Sequence, residues 1–262
     1  MSKRGRRRAA VGGLWALMLG STVAAVQAQT AFTPDIAGVR LGMTEAEVRS
    51  ALKAFDGSLE FTPYLAGFTY SDGVDHTLQT PEFLERLEAQ TRAGYSSGFV
   101  VHFTTPPSSP RVMSVERTTG SRQPPSIAQF EDGLIRKYGE PTGRQEQDGL
   151  LWEQAGKPRC ARMVDYRKQI VPMIKGITVA TVPKTLEHRQ RSKGHPLPAD
   201  LSQCGAYVFY QRYNSDPVDR FTGELRDLGL IVANERATQA WVAGLEDAAV
   251  ARRKARGQTP TF

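Results

Sequence analysis

The chain is poor in the residues on which most recognisable chemistry depends. Its 262 residues include only two cysteines and four histidines. It carries no Gly-rich phosphate loop, no dinucleotide fingerprint and no nucleophile elbow, so the common nucleotide-binding and serine-hydrolase signatures are absent. His76, His102, His188 and His195 stand at neither His-x-x-x-His nor His-Glu-x-x-His spacing. Neither a metal ligand nor a cofactor is therefore assigned from sequence, and no residue is named as catalytic. Unbalanced charge is also scarce. The 34 basic residues exceed the 27 acidic ones by seven, but Lys3, Arg4, Arg6, Arg7 and Arg8 supply five of the excess, leaving +2 for everything that follows. The high pI belongs to a short head, and no nucleic-acid partner is expected from it. With 40% hydrophobic and 23% charged residues, the composition excludes a collagen-like, coiled-coil or wholly disordered chain.

What is present begins at the N-terminus. Residues 1–28 read as a secretory signal peptide: a basic head, an apolar stretch from Ala9 to Val26, and the small-residue exit Val26-Gln27-Ala28, with cleavage expected after Ala28. Retention as a membrane anchor is the competing expectation, because the apolar run approaches spanning length; Gly12, Gly13, Gly20, Ser21 and Thr22 dilute it. Either way the remaining chain is expected outside the cytoplasm, in the bacterial periplasm or secreted. Membrane contact is then transient through the leader, or weak through basic clusters. In that compartment Cys160 and Cys204, the sole pair, should form a disulfide. A redox-active Cys-x-x-Cys turn is excluded by their separation.

The mature chain reads as α+β, in two related lobes that each pack a helix on an antiparallel sheet, followed by a C-terminal helix. The first lobe spans 29–122 and the second 123–262, with Thr119 to Pro125 as the boundary. Thr44 caps the first helix, Glu47 completes a capping box, and Val48, Leu52 and Phe55 form its apolar face; Asp56-Gly57 ends it. Strands are expected within Leu59 to Tyr70, a second, weaker helix over Pro81 to Thr91, and a strand pair at Gly98 to Thr104 and Arg111 to Arg117. Ser126 and Gln129 form the capping box of the helix that opens the second lobe, with Ile127, Phe130, Leu134, Ile135 and Tyr138 inward and Gly139 at its exit. Strands are expected at Gly149 to Glu153, Ala161 to Tyr166, Gly176 to Val182, Gly205 to Arg212 and Arg220 to Leu225. The closing helix is placed from about Asn234 to Arg256, with Ala237, Trp241, Leu245 and Ala248 on one face.

The string Gly38-Val39-Arg40-Leu41-Gly42-Met43-Thr44-Glu45-Ala46-Glu47-Val48 resembles the entry to the helix-plus-antiparallel-sheet modules of bacterial envelope proteins. These include the small lipoproteins of outer-membrane assembly and β-lactamase inhibitor proteins. The run Lys137-Tyr138-Gly139-Glu140-Pro141 is similar to their helix exit. The resemblance covers about a tenth of the chain, and it implies a binding protein and no catalytic residue.

Candidate chemistry is weighed against this. Ser50 and Lys53 have the Ser-x-x-Lys spacing of envelope acylases, but no Lys-Thr-Gly strand exists and both fall on the polar face of a helix. Asp72, Asp75 and His76 read as a polar turn, and His102 as a solvent-facing strand residue. Two basic clusters remain, at Lys184 to His195 and Arg252 to Arg256. Of these Lys184, Arg189, Arg191 and Lys193 are the candidate partner-binding residues, on an exposed loop closed by the disulfide. Tyr207, Phe209 and Tyr213 read as part of a strand buried on both faces. The expectation is an exported, non-catalytic envelope protein that binds a second periplasmic or outer-membrane protein. The alternatives are a hydrolase assembled from scattered residues such as Asp72, His76 and His102, or a carrier of small apolar ligands.

Overall fold

The computed structural model describes residues 32–74, 76–91, 98–121, 123–145, 149–158, 160, 171–174, 177–179, 200–213 and 216–257, without the side chains of 145, 171–174, 177–179 and 201. The leader and its exit at Ala28, the expected strand Ala161 to Tyr166 and the whole basic segment Lys184 to His195 lie outside the described residues.

A short hairpin opens the described chain. Its strands are β1 (Asp35–Ile36) and β2 (Val39–Arg40). The turn between them places Ala37 at φ 53° and Gly38 at φ 82°, the left-handed backbone that favours glycine. Gly42 then donates to the Val112 carbonyl (2.8 Å), and Val112 returns a bond to Met43 (2.9 Å), stitching the entry onto the central sheet. Helix α1 (Glu45–Phe55) follows with the expected capping box: Glu47 N–H donates to Thr44 Oγ1, and Thr44 N–H donates to Glu47 Oε2. Val48 and Leu52 are its buried residues.

Six more strands complete the first half, with the second helix after them: β3 (Glu60–Ala66), β4 (Thr69–Ser71), β5 (Thr77–Gln79), β6 (Phe83–Gln90), β7 (Gly98–Phe103) and β8 (Val112–Gly120). Helix α2 (Ile127–Tyr138) is capped by Ser126 and Gln129 and buries Phe130 and Leu134. The second half continues with β9 (Gly143–Gln145), β10 (Gly149–Glu153), β11 (Val171–Ile174), β12 (Ile177–Val179), β13 (Ala206–Arg212) and β14 (Arg220–Asp227), and ends in helix α3 (Leu228–Arg256).

The fold is α+β. The two halves contribute four strands each to one eight-stranded sheet of order β3-β6-β7-β8-β14-β13-β10-β9, whose neighbours all pair antiparallel. The halves meet where β8 pairs with β14, so the expected helix-and-sheet units share a single sheet. The expectation of a helix at Pro81 to Thr91 is corrected: Phe83 to Gln90 is strand β6, hydrogen-bonded on both sides between β3 and β7.

Three layers result. On one face Val48 and Leu52 of α1 and Phe130 and Leu134 of α2 pack on Leu87, Val101, Val115, Leu225 and Val208. On the opposite face Ile231 and Val242 of α3 pack on Phe68, Phe83 and Met113, while Leu228 joins Leu151, Tyr207, Phe209 and the two cysteines. Helix α3 thus reaches from the second half to the first. Its inward stripe also differs from the expected one: Ala237 and Ala248 are exposed, and Ile231, Asn234, Thr238, Val242 and Ala249 are buried. The polar members of that stripe are satisfied. Asn234 Oδ1 accepts from Thr105 N–H (2.9 Å), Asn234 Nδ2 donates to Thr105 O (3.0 Å), and Thr238 Oγ1 donates to Pro106 O (2.7 Å), locking the loop after β7 to the helix.

Candidate functional site

Strand register carries side chains into straight rows across the sheet, because partners on neighbouring strands share a face. On the face bearing α3, one row runs Tyr64, Arg86, His102, Ser114, Arg226, Tyr207 and Glu153 over seven strands. The next row is Thr62, Glu88, Val100, Glu116, Glu224, Phe209 and Leu151. The centre of this face is ionic. Arg86 pairs with Glu88 (3.0 Å) and lies 4.0 Å over the Tyr64 ring, and Arg226 reaches Glu224 (3.6 Å) and Glu116 (3.7 Å). Further along, Glu60, Thr62, Gln90 and Thr118 are exposed, so the face opens to solvent as a shallow polar strip.

His102 does not face solvent as expected; it is partly buried in the middle of the first row. Burial first, then the charges of Arg226 and Arg86, push its imidazole down to about 4. Burial raises the Glu224 carboxyl, against the pull of Arg226. The signs of the two groups differ. The unfolded chain protonates His102 near pH 6.5 while the folded one refuses the proton until about pH 4, so this contribution to stability is complete above pH 6.5 and is lost as pH falls through that window. The loss should reach about 2–3 kcal/mol by pH 4.5. Glu224 offsets part of it, since the folded state takes up that proton first. Urea midpoints at pH 7.5 and pH 4.5 check this: His102→Gln should flatten the decline, and an equal decline in both proteins would contradict it.

The other expected residues are dispersed. Cys160 and Cys204 form the disulfide, with S–S 2.08 Å and Cα–Cα 5.9 Å, buried at 3% exposure each. Asp72 and His76 lie in the β4–β5 hairpin. There the Asp72 carboxylate accepts from Val74 N–H (3.1 Å), the Asp72 carbonyl accepts from Arg253 Nε (2.8 Å), and His76 is exposed. They are not on the element that holds His102. Arg253 of the C-terminal basic cluster therefore ties α3 to this hairpin, while Arg252, Lys254 and Arg256 are exposed. Ser50 and Lys53 are exposed on α1, and Lys53 Nζ donates to the carbonyls of Gly57 (3.0 Å) and Leu59 (2.6 Å), which commits it to the helix end. Ala206 to Tyr210 are buried on both faces of β13, and only Tyr213, past the strand, is open. Lys184, Arg189, Arg191 and Lys193 fall outside the described residues. Among the described residues, no group of three or more His, Cys, Asp or Glu side chains could hold a metal ion, and no helix is long and apolar enough to cross a membrane.

An open groove of about 570 Å³ lies between the β4–β5 hairpin and α3, lined by Thr69, Tyr70, Thr77, Gln239, Val242 and Glu246. No protein-family model, curated protein or solved structure matches the chain.

One residue that sequence reading passed over stands out on the opposite face. Arg117 follows Val115 at strand period and therefore points with it toward α1 and α2, where an arginine is unexpected. Its guanidinium lies 4.7 Å from the Phe55 ring centroid and 5.6 Å from those of Phe99 and Phe221. The signal was legible as a cation on the inward parity of an otherwise apolar strand.

Proposed function

We propose that this protein is exported to the bacterial periplasm and binds another envelope protein, without catalysis, through the open strip on the α3 face of its sheet. The observation that carries this reading is what the fold gathers and what it disperses. It gathers the partly buried charged and polar side chains of Arg86, Glu88, His102, Glu116 and Arg226 from four strands beside an exposed strip at Glu60, Thr62, Gln90 and Thr118. It leaves Asp72 and His76 in a hairpin turn and His102 in the sheet, with its ring neutral and crowded by arginines. A mixed-charge, partly exposed sheet face suits a protein surface of complementary charge, which gains specificity more than affinity from such contacts. Support for export comes from the three-part leader and from a disulfide, which persists outside the cytoplasm. The resemblance of the entry and exit motifs to envelope binding modules points the same way, and the basic segment at Lys184, Arg189, Arg191 and Lys193 is a second candidate contact.

A photo-crosslinking residue placed singly at Thr118, at Gln90 or, as control, at Ser50 on α1 tests the reading in cells of the native host. One discrete adduct from the two sheet positions and none from Ser50 is expected. The same experiment with Arg189, Arg191 and Lys193 neutralised shows whether the basic segment shares the contact. Absence of any adduct from the sheet positions, or equal adducts from Ser50, would overturn the use of this face.

A further inference from the structure

We infer that Arg117 and the rings around it form a binding site for a single carboxylate carried beside an aromatic or aliphatic group. The site is on the α1/α2 face, opposite the strip discussed above, and stands independently of it.

Its construction follows from one cross-strand row, Phe61, Ala89, Phe99, Arg117, Gly223, Tyr210 and Leu150. Arg117 is the only charged residue among these seven; the row ends on β9 at Arg144, which is paired with Glu131 (2.7 Å). Gly223, its partner on β14, has a specific reason to lack a side chain: a Cβ there would stand 2.4 Å from Tyr210 Cε1. The glycine lets the phenol ring lie across β14 toward Arg117. Phe55 at the end of α1 and Phe221 on β14 add two more rings beside the guanidinium, and Phe55 is 44% exposed, so the box has an open side.

The guanidinium is held but not neutralised. Arg117 Nε donates to Thr119 Oγ1 at 2.8 Å, which fixes the plane of the fork and leaves the two terminal nitrogens without a fixed acceptor among the described residues. No carboxylate forms an ion pair with it among the described residues, and the Tyr210 and Tyr138 phenols on this face are neutral, since burial raises the affinity of each for its proton. Burial accordingly lowers the affinity of Arg117 for its own proton. Aromatic faces attract a cation, but they leave its in-plane N–H donors unmatched, and a desolvated guanidinium without an anion is costly. A planar carboxylate accepts two parallel N–H bonds from such a fork. A monoanion is favoured over a phosphate dianion because Arg117 is the single cation over Phe55, Phe99 and Phe221 among the described residues; on α1, Arg49 is paired with Glu45 (2.6 Å) and Lys53 is held at the helix end by the Gly57 and Leu59 carbonyls. The flanking rings supply contact for an apolar group next to the carboxylate.

Titration of the oxidised mature protein with N-acetyl-phenylalanine and with its uncharged amide, followed by NMR, tests this. Saturable binding of the acid, with the amide at least tenfold weaker, is expected. Arg117→Met should weaken the acid at least tenfold, and Arg117→Lys should restore only part, because it keeps the charge without the fork. A tetrapeptide ending in phenylalanine with a free carboxylate distinguishes the two sources of such a ligand: tighter binding than the small acid assigns the site to polypeptide termini, and equal binding assigns it to small carboxylates. Equal affinity for acid and amide, absence of saturable binding, or acid binding unchanged by Arg117→Met would overturn the inference. The acid-against-amide comparison uses the unaltered protein and stands even if a variant fails to fold.

Discussion

Replacing Cys160 and Cys204 together with alanine should lower the stability of the protein by about 4 kcal/mol, the value expected when cross-linking removes loop entropy from the unfolded chain. The sequence separation is 44 residues, long enough for a large entropic term. The native state adds to it, because both sulfurs are buried with Leu151, Tyr207, Phe209 and Leu228, so the bridge sits inside a satellite core. The backbone beside it is equally close: a Cβ at Gly229 would stand 2.4 Å from the Cys204 carbonyl oxygen, which is why α3 begins with a glycine at its second position. Urea denaturation of the oxidised protein and the double variant measures the difference. A loss under about 1 kcal/mol would show that the bridge is dispensable and that the unfolded chain is already constrained.

Phe103→Ala should cost about 4 kcal/mol, within the usual range for removing a buried phenylalanine. Phe103 has no exposed surface and lies where β7 meets Val112 across a register shift, at the end of the main core. The next residues are Thr104 and Thr105, the latter bonded to Asn234 and lying 2.7 Å from Thr238 Oγ1 of α3, so the cavity cannot collapse without moving that loop. Phe55→Ala is the matched control. That ring is 44% exposed, and its loss should cost much less. Equal losses for the two variants would contradict the placement of the core.

Sequence legibility varied with how local the determining physics is. Both capping boxes, at Thr44 with Glu47 and Ser126 with Gln129, form as read, because a cap involves four consecutive residues. Strands β10, β13 and β14 were legible from apolar runs bounded by turns. The segment Pro81 to Thr91 misled because Phe83, Leu84 and Leu87 match a helical stripe. The pairing of Arg86 with Tyr64 but of Leu84 with Leu65 skips Glu85, and this irregularity breaks the strict alternation that would mark a strand. Tertiary pairing on both sides then decides the outcome. The inward face of α3 is not legible from apolar periodicity because two of its buried positions are Asn234 and Thr238, whose role depends on a loop more than 120 residues away. The start of α3 at Leu228, ahead of the expected Asn234, has a similar cause: only the close approach of the Ser202 and Cys204 carbonyls explains Gly229 in its first turn.

The candidate surfaces were less legible than the fold. The ionic rows on the α3 face join residues from strands far apart in sequence, and no spacing rule reports such a row before the register is known. Alternation puts His102 on the face opposite Phe99, Val101 and Phe103, as observed, but that face is partly covered where alternation implies solvent. Arg117 was visible only as a break in parity.

The envelope reading turns on export, and one measurement addresses it directly: the N-terminal sequence and free-thiol count of the protein recovered from its native host. The account requires a mature chain that begins at Gln29, is found in the envelope fraction, and has no thiol that reacts with an alkylating reagent. A cytosolic chain that retains Met1 and carries two alkylatable cysteines would contradict it.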